Sequence, residues 1–264
     1  MEIIRSKDGT PIAYWHSGRG DPLLLVHGTI GDHLTWTLVL TALERHFSVY
    51  AMDRRGRGHS GDADAYTLDR ECEDIAAVID AIGGTVHVIG HSFGGICALE
   101  AALLTPNIGR LILYEPAIWL SPRDRSAAFD ARMQALLEAG NPEEALLLFL
   151  RDIVKRPSQE IADMQAMPTW RGWVAAAHLI PREVRTVDRY AFDPQRFRTM
   201  RTPTVLFLGG DSPPRRRTVA ETLNTALPNS QIVVLPGQQH GAMRTAPDLF
   251  VQEVDKFFIA ATAG

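Results

Sequence analysis

The sequence predicts an α/β fold, in which a mostly parallel sheet is flanked by helices on both faces. Two observations support this class. Strand-like and helix-like segments alternate along residues 12–114 and again along residues 204–260, as is typical of parallel sheets with right-handed crossovers. Some strands are unbroken apolar runs, such as residues 23–26, and such runs indicate strands that are buried on both faces.

Periodicity and stop signals place the individual elements. Strands are predicted at residues 12–16, 23–27 and 48–52, with a helix over residues 33–45. A helix over residues 67–82 ends at Gly83–Gly84, and a strand over 86–89, a helix after Ser92 and a strand over 111–114 follow it. Near the end of the chain, strands are predicted at 204–208 and 231–235, and helices at 215–227 and 247–260.

The alternation is interrupted between Pro116 and Met200. This stretch contains amphipathic helical patterns at residues 129–139 and 142–154 and no clear strand. Three of the five tryptophans, Trp119, Trp170 and Trp173, lie within it. We therefore expect residues 1–115 and 201–264 to form the core domain, and residues 116–200 to form a helical cap.

Composition excludes several classes of partner. The chain has 264 residues and a formal net charge of −4, which predicts no general affinity for nucleic acid or for anionic membranes. No signal peptide or membrane-spanning segment is recognisable, so the expected location is the cytoplasm. The two cysteines, Cys72 and Cys97, form neither a disulfide framework nor a zinc motif. We expect no metal and no cofactor.

The most informative motif is Gly-His-Ser-Phe-Gly at residues 90–94. It lies between an apolar strand and a helix, which is the context in which G-x-S-x-G forms a sharp turn that exposes the serine hydroxyl. Gly90 and Gly94 are expected because a Cβ at either position would collide with neighbouring backbone. Ser92 is therefore the predicted nucleophile, and His91 is expected to point away from the cleft.

A nucleophilic serine needs a base, and the base needs an orienting acid. Of the nine histidines, His240 lies in a glycine-containing loop just after the last predicted strand, so it is the predicted base. Two acids follow neighbouring strands. We expect Asp211 to be the acid, because it completes the order Ser, Asp, His along the chain, and Glu115 is the alternative.

Two backbone amides are predicted to form an oxyanion hole. Gly28 allows a sharp turn after the buried strand 23–27, so the N–H of Thr29 can point into the cleft. The second donor is the N–H of Phe93, at the start of a helix. His27 is expected to brace this loop.

Two arginine-rich segments have structural interpretations. In residues 53–60 we expect Asp53 to accept hydrogen bonds from backbone amides and an arginine to pair locally, because a phosphate-binding motif is absent. Arg215, Arg216 and Arg217 are interpreted as the solvated start of a helix.

Together, the segments 27–29, 53–60 and 90–95, with Asp211 and His240, resemble the α/β-hydrolase superfamily, in its single-domain branch with a helical cap. This resemblance implies an eight-stranded sheet and places substrate choice in the cap. Epoxide hydrolases and haloalkane dehalogenases of this fold carry aspartate where this chain has Ser92, so both are disfavoured. Esterases, lactonases, C–C bond hydrolases of ring-cleavage pathways and cofactor-free perhydrolases remain.

The leading functional hypothesis is hydrolysis of a small, apolar ester or lactone through an acyl-enzyme. The alternatives are C–C bond hydrolysis, a lyase or cyclase reaction in biosynthesis, and a non-catalytic ligand receptor. The oligomeric state, monomer or homodimer, stays open. The predicted pocket residues are Ile30, Trp119, Trp170, Trp173 and His178, and the Phe93 side chain is expected on the pocket floor.

Overall fold

A computed structural model describes residues 1–121 and 127–259. Its centre is one eight-stranded sheet with the order β1-β2-β4-β3-β5-β6-β7-β8. The strands are β1 (Glu2–Arg5), β2 (Pro11–Gly18), β3 (Asp21–Val26), β4 (Phe47–Met52), β5 (Val86–His91), β6 (Ile108–Tyr114), β7 (Thr204–Gly209) and β8 (Ser230–Leu235). Only the pairs β1–β2 and β2–β4 are antiparallel. The predicted fold class is confirmed.

Eleven α-helices lie in the part of the chain that the structure describes. They are α1 (Thr37–Leu43), α2 (Leu68–Ile82), α3 (Phe93–Ala101), α4 (Ala127–Glu138), α5 (Pro142–Phe149), α6 (Ser158–Gln165), α7 (Trp170–Ala175), α8 (Ile180–Arg189), α9 (Pro214–Ala226), α10 (Ala242–Thr245) and α11 (Pro247–Phe258). Helices α2, α3 and α9 pack on one face of the sheet, and α1 and α11 pack on the other. The central strands are therefore buried on both faces.

The N-terminal strand β1 has no counterpart among the elements predicted from periodicity. It is an edge strand that is mostly exposed, and it pairs only with β2. An edge strand has no second neighbour and little buried surface, so Glu2–Arg5 lacks the apolar run of the inner strands. The last helix, α11, ends at Phe258, and the predicted end at residue 260 lies outside the described residues.

The described residues between β6 and β7 are helices and loops, and we call residues 116–200 the insertion. Its helices share an apolar cluster of their own, which includes Leu146, Phe149, Trp170, Trp173 and Ile180. A π-helical turn, Leu150–Val154, follows α5 directly. Ile30, from the loop after β3, packs against this cluster, so the insertion lies over the carboxyl ends of the strands.

A buried group of charges joins the insertion to the core. Arg54 donates to both carboxylate oxygens of Glu71 on α2, at 3.0 and 2.7 Å, and to Glu183 on α8 at 2.8 Å. Arg57 also donates to Glu183, at 2.8 Å. All four side chains are at most 1% exposed. The predicted role of Asp53 is confirmed, because its carboxylate accepts from the backbone N–H groups of His33 and His59.

Because Glu183 is buried between two arginines, we expect Glu183→Ala to lower the free energy of unfolding by about 3–5 kcal/mol, the cost of leaving a buried charge unpaired. Urea denaturation measures this change. The control is Glu144→Ala, which removes an exposed ion pair to Arg151 and should change stability by no more than about 1 kcal/mol. Equal effects of the two substitutions would contradict the structural role of Glu183.

Candidate active site

Ser92 lies in a strained turn between β5 and α3. Its φ and ψ are 56° and −118°, a conformation that side chains other than glycine rarely adopt. The start of α3 passes so close to β3 that a Cβ on Gly94 would lie 2.3 Å from the carbonyl oxygen of His27. A Cβ on Gly90 would lie 2.7 Å from the carbonyl oxygen of Gly94. The predicted steric reason for both glycines is confirmed.

The loop after β8 brings His240 to a carboxylate at the end of β6. The Nδ1–H of His240 donates to Oε2 of Glu115 at 2.7 Å, and both side chains are buried. This hydrogen bond leaves Nε2 of His240 as the ring nitrogen that can accept a proton. His240 and Ser92 line the same cavities. Ser92, His240 and Glu115 therefore belong to one site.

The carboxylate that His240 contacts is that of Glu115, the alternative acid, and not that of Asp211, which we expected from the sequence. Asp211 is exposed, and within residues 1–121 and 127–259 its one recorded hydrogen bond runs from its backbone N–H to the carbonyl of Gln238. β7 ends at Gly209, so a side chain two residues later is carried out to the surface. His240 meets the end of β6 instead, where Glu115 follows the strand directly.

Glu115 is held by contacts on both of its carboxylate oxygens. Oε1 accepts from the N–H of Gly209 at 2.9 Å, and Oε2 lies 3.1 Å from Nε of Arg216. Its φ is 44°, a second strained residue beside Ser92. The interpretation of residues 215–217 as a solvated helix start is therefore wrong for Arg216, which is 7% exposed.

Two further side chains fix the loop that carries His240. The Nε2–H of His91 donates to the carbonyl of His240 at 2.9 Å. The hydroxyl of Tyr114 donates to the carbonyl of Gln239 and accepts from the N–H of Ala242 at 3.1 Å. His91 also lines the cavity beside Ser92, so the expectation that it points away from the cleft is wrong.

The loop after β3 reaches Ser92 from the other side. A Cβ on Gly28 would lie 3.0 Å from the Cβ of Ser92, so a larger residue there would require its neighbours to move by a few tenths of an ångström, and glycine lets this loop lie close to Ser92. His27 braces the loop as predicted, since its Nδ1–H donates to the carbonyl of Gly28 and its Nε2 accepts from the N–H of Arg54. Arg57 donates from Nε to the carbonyl of Thr29 at 3.0 Å.

The surroundings of His240 favour its neutral form. Burial lowers the pKa of His240 well below its ordinary value of 6.5, and the guanidinium groups of Arg216, Arg156, Arg215 and Arg244 lower it further. Each of these groups disfavours a second positive charge on the ring. A neutral imidazole can accept a proton, so the arrangement suits a general base.

Two cavities meet at Ser92 and His240, and we call them the first and second chambers. They enclose about 470 and 450 Å³, volumes that include space open to solvent. Thr29, Phe149 and Val154 line both chambers. Of the predicted pocket residues, Ile30 and Trp173 line the first chamber and Trp119 lines the second.

Two predicted pocket residues are elsewhere. Trp170 packs within the insertion, edge-to-face with Trp173, and its Nε1–H donates to Glu143 at 2.8 Å. His178 is exposed and contacts the carbonyl of Ala175. Phe93 is fully buried under the guanidinium of Arg54, so its side chain does not form the pocket floor. The helical spacing of the insertion could not tell these packed or exposed positions from the cavity wall.

Sequence reasoning missed two arginines in the wall of the first chamber, Arg156 and Arg244. Arg156 follows the π-helical turn of the insertion, and Arg244 lies in α10. The sequence did hold a signal for a place of Arg244 near the site, because Arg244 is only four residues after His240. No local pattern distinguishes Arg156 from a surface arginine.

No group of three or more His, Cys, Asp and Glu side chains that could hold a metal ion is found within residues 1–121 and 127–259. Among these residues there is also no helix long and apolar enough to span a membrane.

Known proteins resemble this chain along nearly its whole length. A crystal structure of an alpha/beta hydrolase from Sphaerobacter thermophilus is 35% identical, with a TM-score of 0.85, over 97% of this chain and 100% of that one. RutD of Pseudomonas savastanoi pv. phaseolicola, which is named as a carbamate hydrolase, is 28% identical to this chain. The match covers 91% of this chain and 94% of the length of RutD.

A shorter match joins the chain to N-formylmaleamate deformylase of Pseudomonas putida, which is 36% identical over 107 residues, or 39% of this chain and 40% of that protein. The family model described as "Alpha/beta hydrolase family" matches residues 23–253. With the sheet order, the strained serine turn and the Glu115–His240 pair at one edge of the sheet, these matches show that the chain belongs to the alpha/beta hydrolase family.

Proposed function

We propose that the protein is a serine hydrolase that cleaves an ester or a related acyl bond of a small molecule through an acyl-enzyme. The observation that carries the proposal is the hydrogen bond between buried Glu115 and His240, because it leaves the imidazole Nε2 free in a cavity that Ser92 also lines. An oriented, neutral histidine beside a serine on a strained turn is the arrangement that activates serine as a nucleophile.

In the first half-reaction, His240 Nε2 takes the proton of Ser92 while Oγ attacks the substrate carbonyl. Thr29 lines both chambers and Phe93 begins α3, so their N–H groups are the proposed donors to the oxyanion. The imidazolium is stabilised by Glu115 and then gives its proton to the leaving group. In the second half-reaction, His240 deprotonates water, which attacks the acyl-enzyme and releases the acid and Ser92.

The strain at Ser92 and Glu115 supports this assignment. Residues held at positive φ cost of order 1–3 kcal/mol each and persist where the surrounding structure over-determines them. Here Gly94 and Gly28 allow close backbone approach around Ser92, and Gly209 and Arg216 fix Glu115. Three non-glycine residues of the described chain have positive φ. Lys155 caps the π-helical turn, and the other two, Ser92 and Glu115, carry proposed catalytic groups that the fold maintains at a cost in stability.

The substrate range is wider than simple esters. RutD and the deformylase are named for a carbamate and an N-formyl bond, which are acyl bonds that the same steps can cleave. Lactones fit the same chemistry. C–C bond hydrolysis, a lyase or cyclase reaction and ligand reception stay as alternatives, and a small-molecule partner and a cytoplasmic location stay predictions.

A serine-directed aryl phosphonate should add one covalent label to the wild-type protein, because the Ser92 oxygen would attack phosphorus and expel the aryloxide. Intact-protein mass spectrometry measures the added mass. Ser92→Ala should take up no label. Equal labelling of Ser92→Ala, or no labelling of either protein, would contradict the proposed nucleophile.

Glu115→Gln and Asp211→Asn form a matched pair that decides the acid. Glu115→Gln should lower kcat for an activated ester by about 10³–10⁴-fold, because the amide cannot hold His240 in the productive tautomer or stabilise the imidazolium. Asp211→Asn should change kcat by less than about threefold, since an exposed residue makes no contact with the base.

The circular dichroism spectrum of each variant is compared with that of the wild type, and matching spectra establish that both variants are folded. A large loss of kcat in Asp211→Asn with little loss in Glu115→Gln would restore the acid that the chain order predicts.

The lowered pKa of His240 predicts the acid limb of the rate profile. The free enzyme must hold His240 neutral, and burial together with four arginines disfavours the imidazolium. Activity should therefore persist as the pH falls past 6.5, and kcat/KM should reach half of its maximum below that value. A pH-stat assay with an uncharged aliphatic ester measures this limb. A half-maximum at or above pH 6.5 would show that the arginines do not act on His240 as described.

A further inference from the structure

Two arginines from separate parts of the fold converge on the first chamber. Arg156 comes from the insertion and Arg244 from α10, and both line the chamber with Ser92 and His240. Their side chains are only 6% and 11% exposed. Two guanidinium groups are thus held away from bulk water, at the wall of the cavity in which the proposed reaction takes place.

These two cations share a single carboxylate oxygen. Oε1 of Glu160 accepts from Nη1 of Arg156 and, at 3.0 Å, from Nη2 of Arg244. Elsewhere in residues 1–121 and 127–259, no other carboxylate forms an ion pair with either arginine. The buried Nε of Arg156 also has no hydrogen-bond partner there. The cluster therefore keeps one positive charge in excess and one unused buried donor.

Burial is the main reason that both positive charges are unfavourable here. Burial and the neighbouring charge of Arg156 lower the pKa of Arg244 to about 10, and burial lowers the pKa of Arg156 as well. A buried charge is costly unless a counter-charge pairs with it. An anion at the parts of the two guanidinium groups that line the chamber would supply that counter-charge.

The cluster is close to the reacting groups. A Cβ on Gly241, the residue after His240, would lie 2.8 Å from Nη2 of Arg244 and 3.0 Å from Nη1 of Arg156. Oε1 of Glu160 would lie 3.1 Å from the same Cβ, so an anion that enters the chamber would share these guanidinium groups with Glu160, next to the loop that carries His240. Arg215 and Arg216 line the second chamber, but Arg216 is paired with Glu115 and the guanidinium of Arg215 lies over the ring of Trp119.

We propose that the substrate carries a carboxylate, a few bonds from its scissile carbonyl, which binds Arg156 and Arg244 in the first chamber. The proposal rests on the hydrolytic function proposed above and names the substrate class of that site. Phe149, Val154 and Trp173 would contact the short apolar part between the two groups. The apolar substrate expected from the sequence thus becomes an amphipathic anion.

The first experiment compares substrates that differ in charge alone. Monoethyl esters of malonic, succinic, glutaric and adipic acid are assayed beside the matching ester amides, in which a neutral carboxamide replaces the carboxylate. For at least one chain length, kcat/KM of the wild type should be at least about tenfold higher for the anionic ester, as for a charge-assisted hydrogen bond. A wild type that hydrolyses these esters without such a preference would overturn the carboxylate site and leave the proposed hydrolysis intact.

Three variants separate anion binding from a structural role of the cluster. Arg244→Gln should reduce the preference for the anion by at least about tenfold, through a higher KM, and Arg244→Lys should restore part of it. Glu160→Gln removes the competing carboxylate and should lower the KM for the anion. If the cluster had only a structural role, both Arg244→Gln and Glu160→Gln would loosen it, and both would change the KM for the anion in the same direction. The control is Arg151→Gln, at an exposed arginine of the insertion. It should change kcat/KM neither for the anionic ester nor for the ester amide.

Binding to Ser92→Ala gives a readout that does not depend on turnover. Isothermal titration with the preferred monoester should give a Kd at least about tenfold lower than with its amide, and Arg244→Gln in the same background should remove the difference. Equal affinity for the two ligands would overturn the carboxylate site. Charge-dependent binding without hydrolysis of any ester or labelling of Ser92 would support that site and contradict the proposed function.

Discussion

The hydrogen bond from His240 to Glu115 is the interaction on which the geometry of the site depends. His240 follows β8, whereas Ser92 follows β5, and the order β5-β6-β7-β8 separates these strands by three steps of about 4.8 Å each. The His240 loop must therefore cross the end of β7 to reach Ser92. It meets the end of β6 there, and Glu115 is the carboxylate at that position. Tyr114 and His91 hold the loop in this crossing.

The same order explains how the site is divided. β5 lies between β3 and β6, so Ser92 has the Thr29 loop on one side and Glu115 on the other. Each flank is stabilised by a buried arginine, Arg57 on the carbonyl of Thr29 and Arg216 on the carboxylate of Glu115. Arg216 also lowers the pKa of His240, as do Arg156, Arg215 and Arg244. Positive charge is thus used on both sides of Ser92 to position groups, and Arg156 and Arg244 add to it in the first chamber.

Local patterns predicted the part of the site that depends on local geometry. The elbow at Ser92 is encoded within five residues, and the glycines at 90 and 94 follow from the contact between a strand and a helix. The position of His240 after the last strand could also be read from the sequence. The choice between Asp211 and Glu115 could not, because both follow strands and only the path of the His240 loop across β7 decides which one it meets.

The arginines escaped prediction for a related reason. Arg216 lies in a helix whose periodicity does not distinguish a wall of the cavity from solvent. Arg156 lies in the loop between the π-helical turn and α6, and it meets Arg244 only in the folded chain. The tryptophans of the insertion show the same limit, since Trp173 lines the chamber and Trp170, three residues earlier, packs within the insertion.

The ion pairs of Glu183 have a consequence for protein engineering. One way to change the substrate scope of such a fold is to graft the insertion of one protein onto the core of another. This approach treats the insertion and the core as exchangeable parts. Here Arg54 and Arg57 of the core are neutralised in part by a carboxylate that the insertion supplies, and Arg57 in turn holds the loop beside Ser92. A donor insertion without an acid at the position of Glu183 would leave two buried cations short of one counter-charge. The unit of exchange is therefore the insertion together with the loop of residues 53–60.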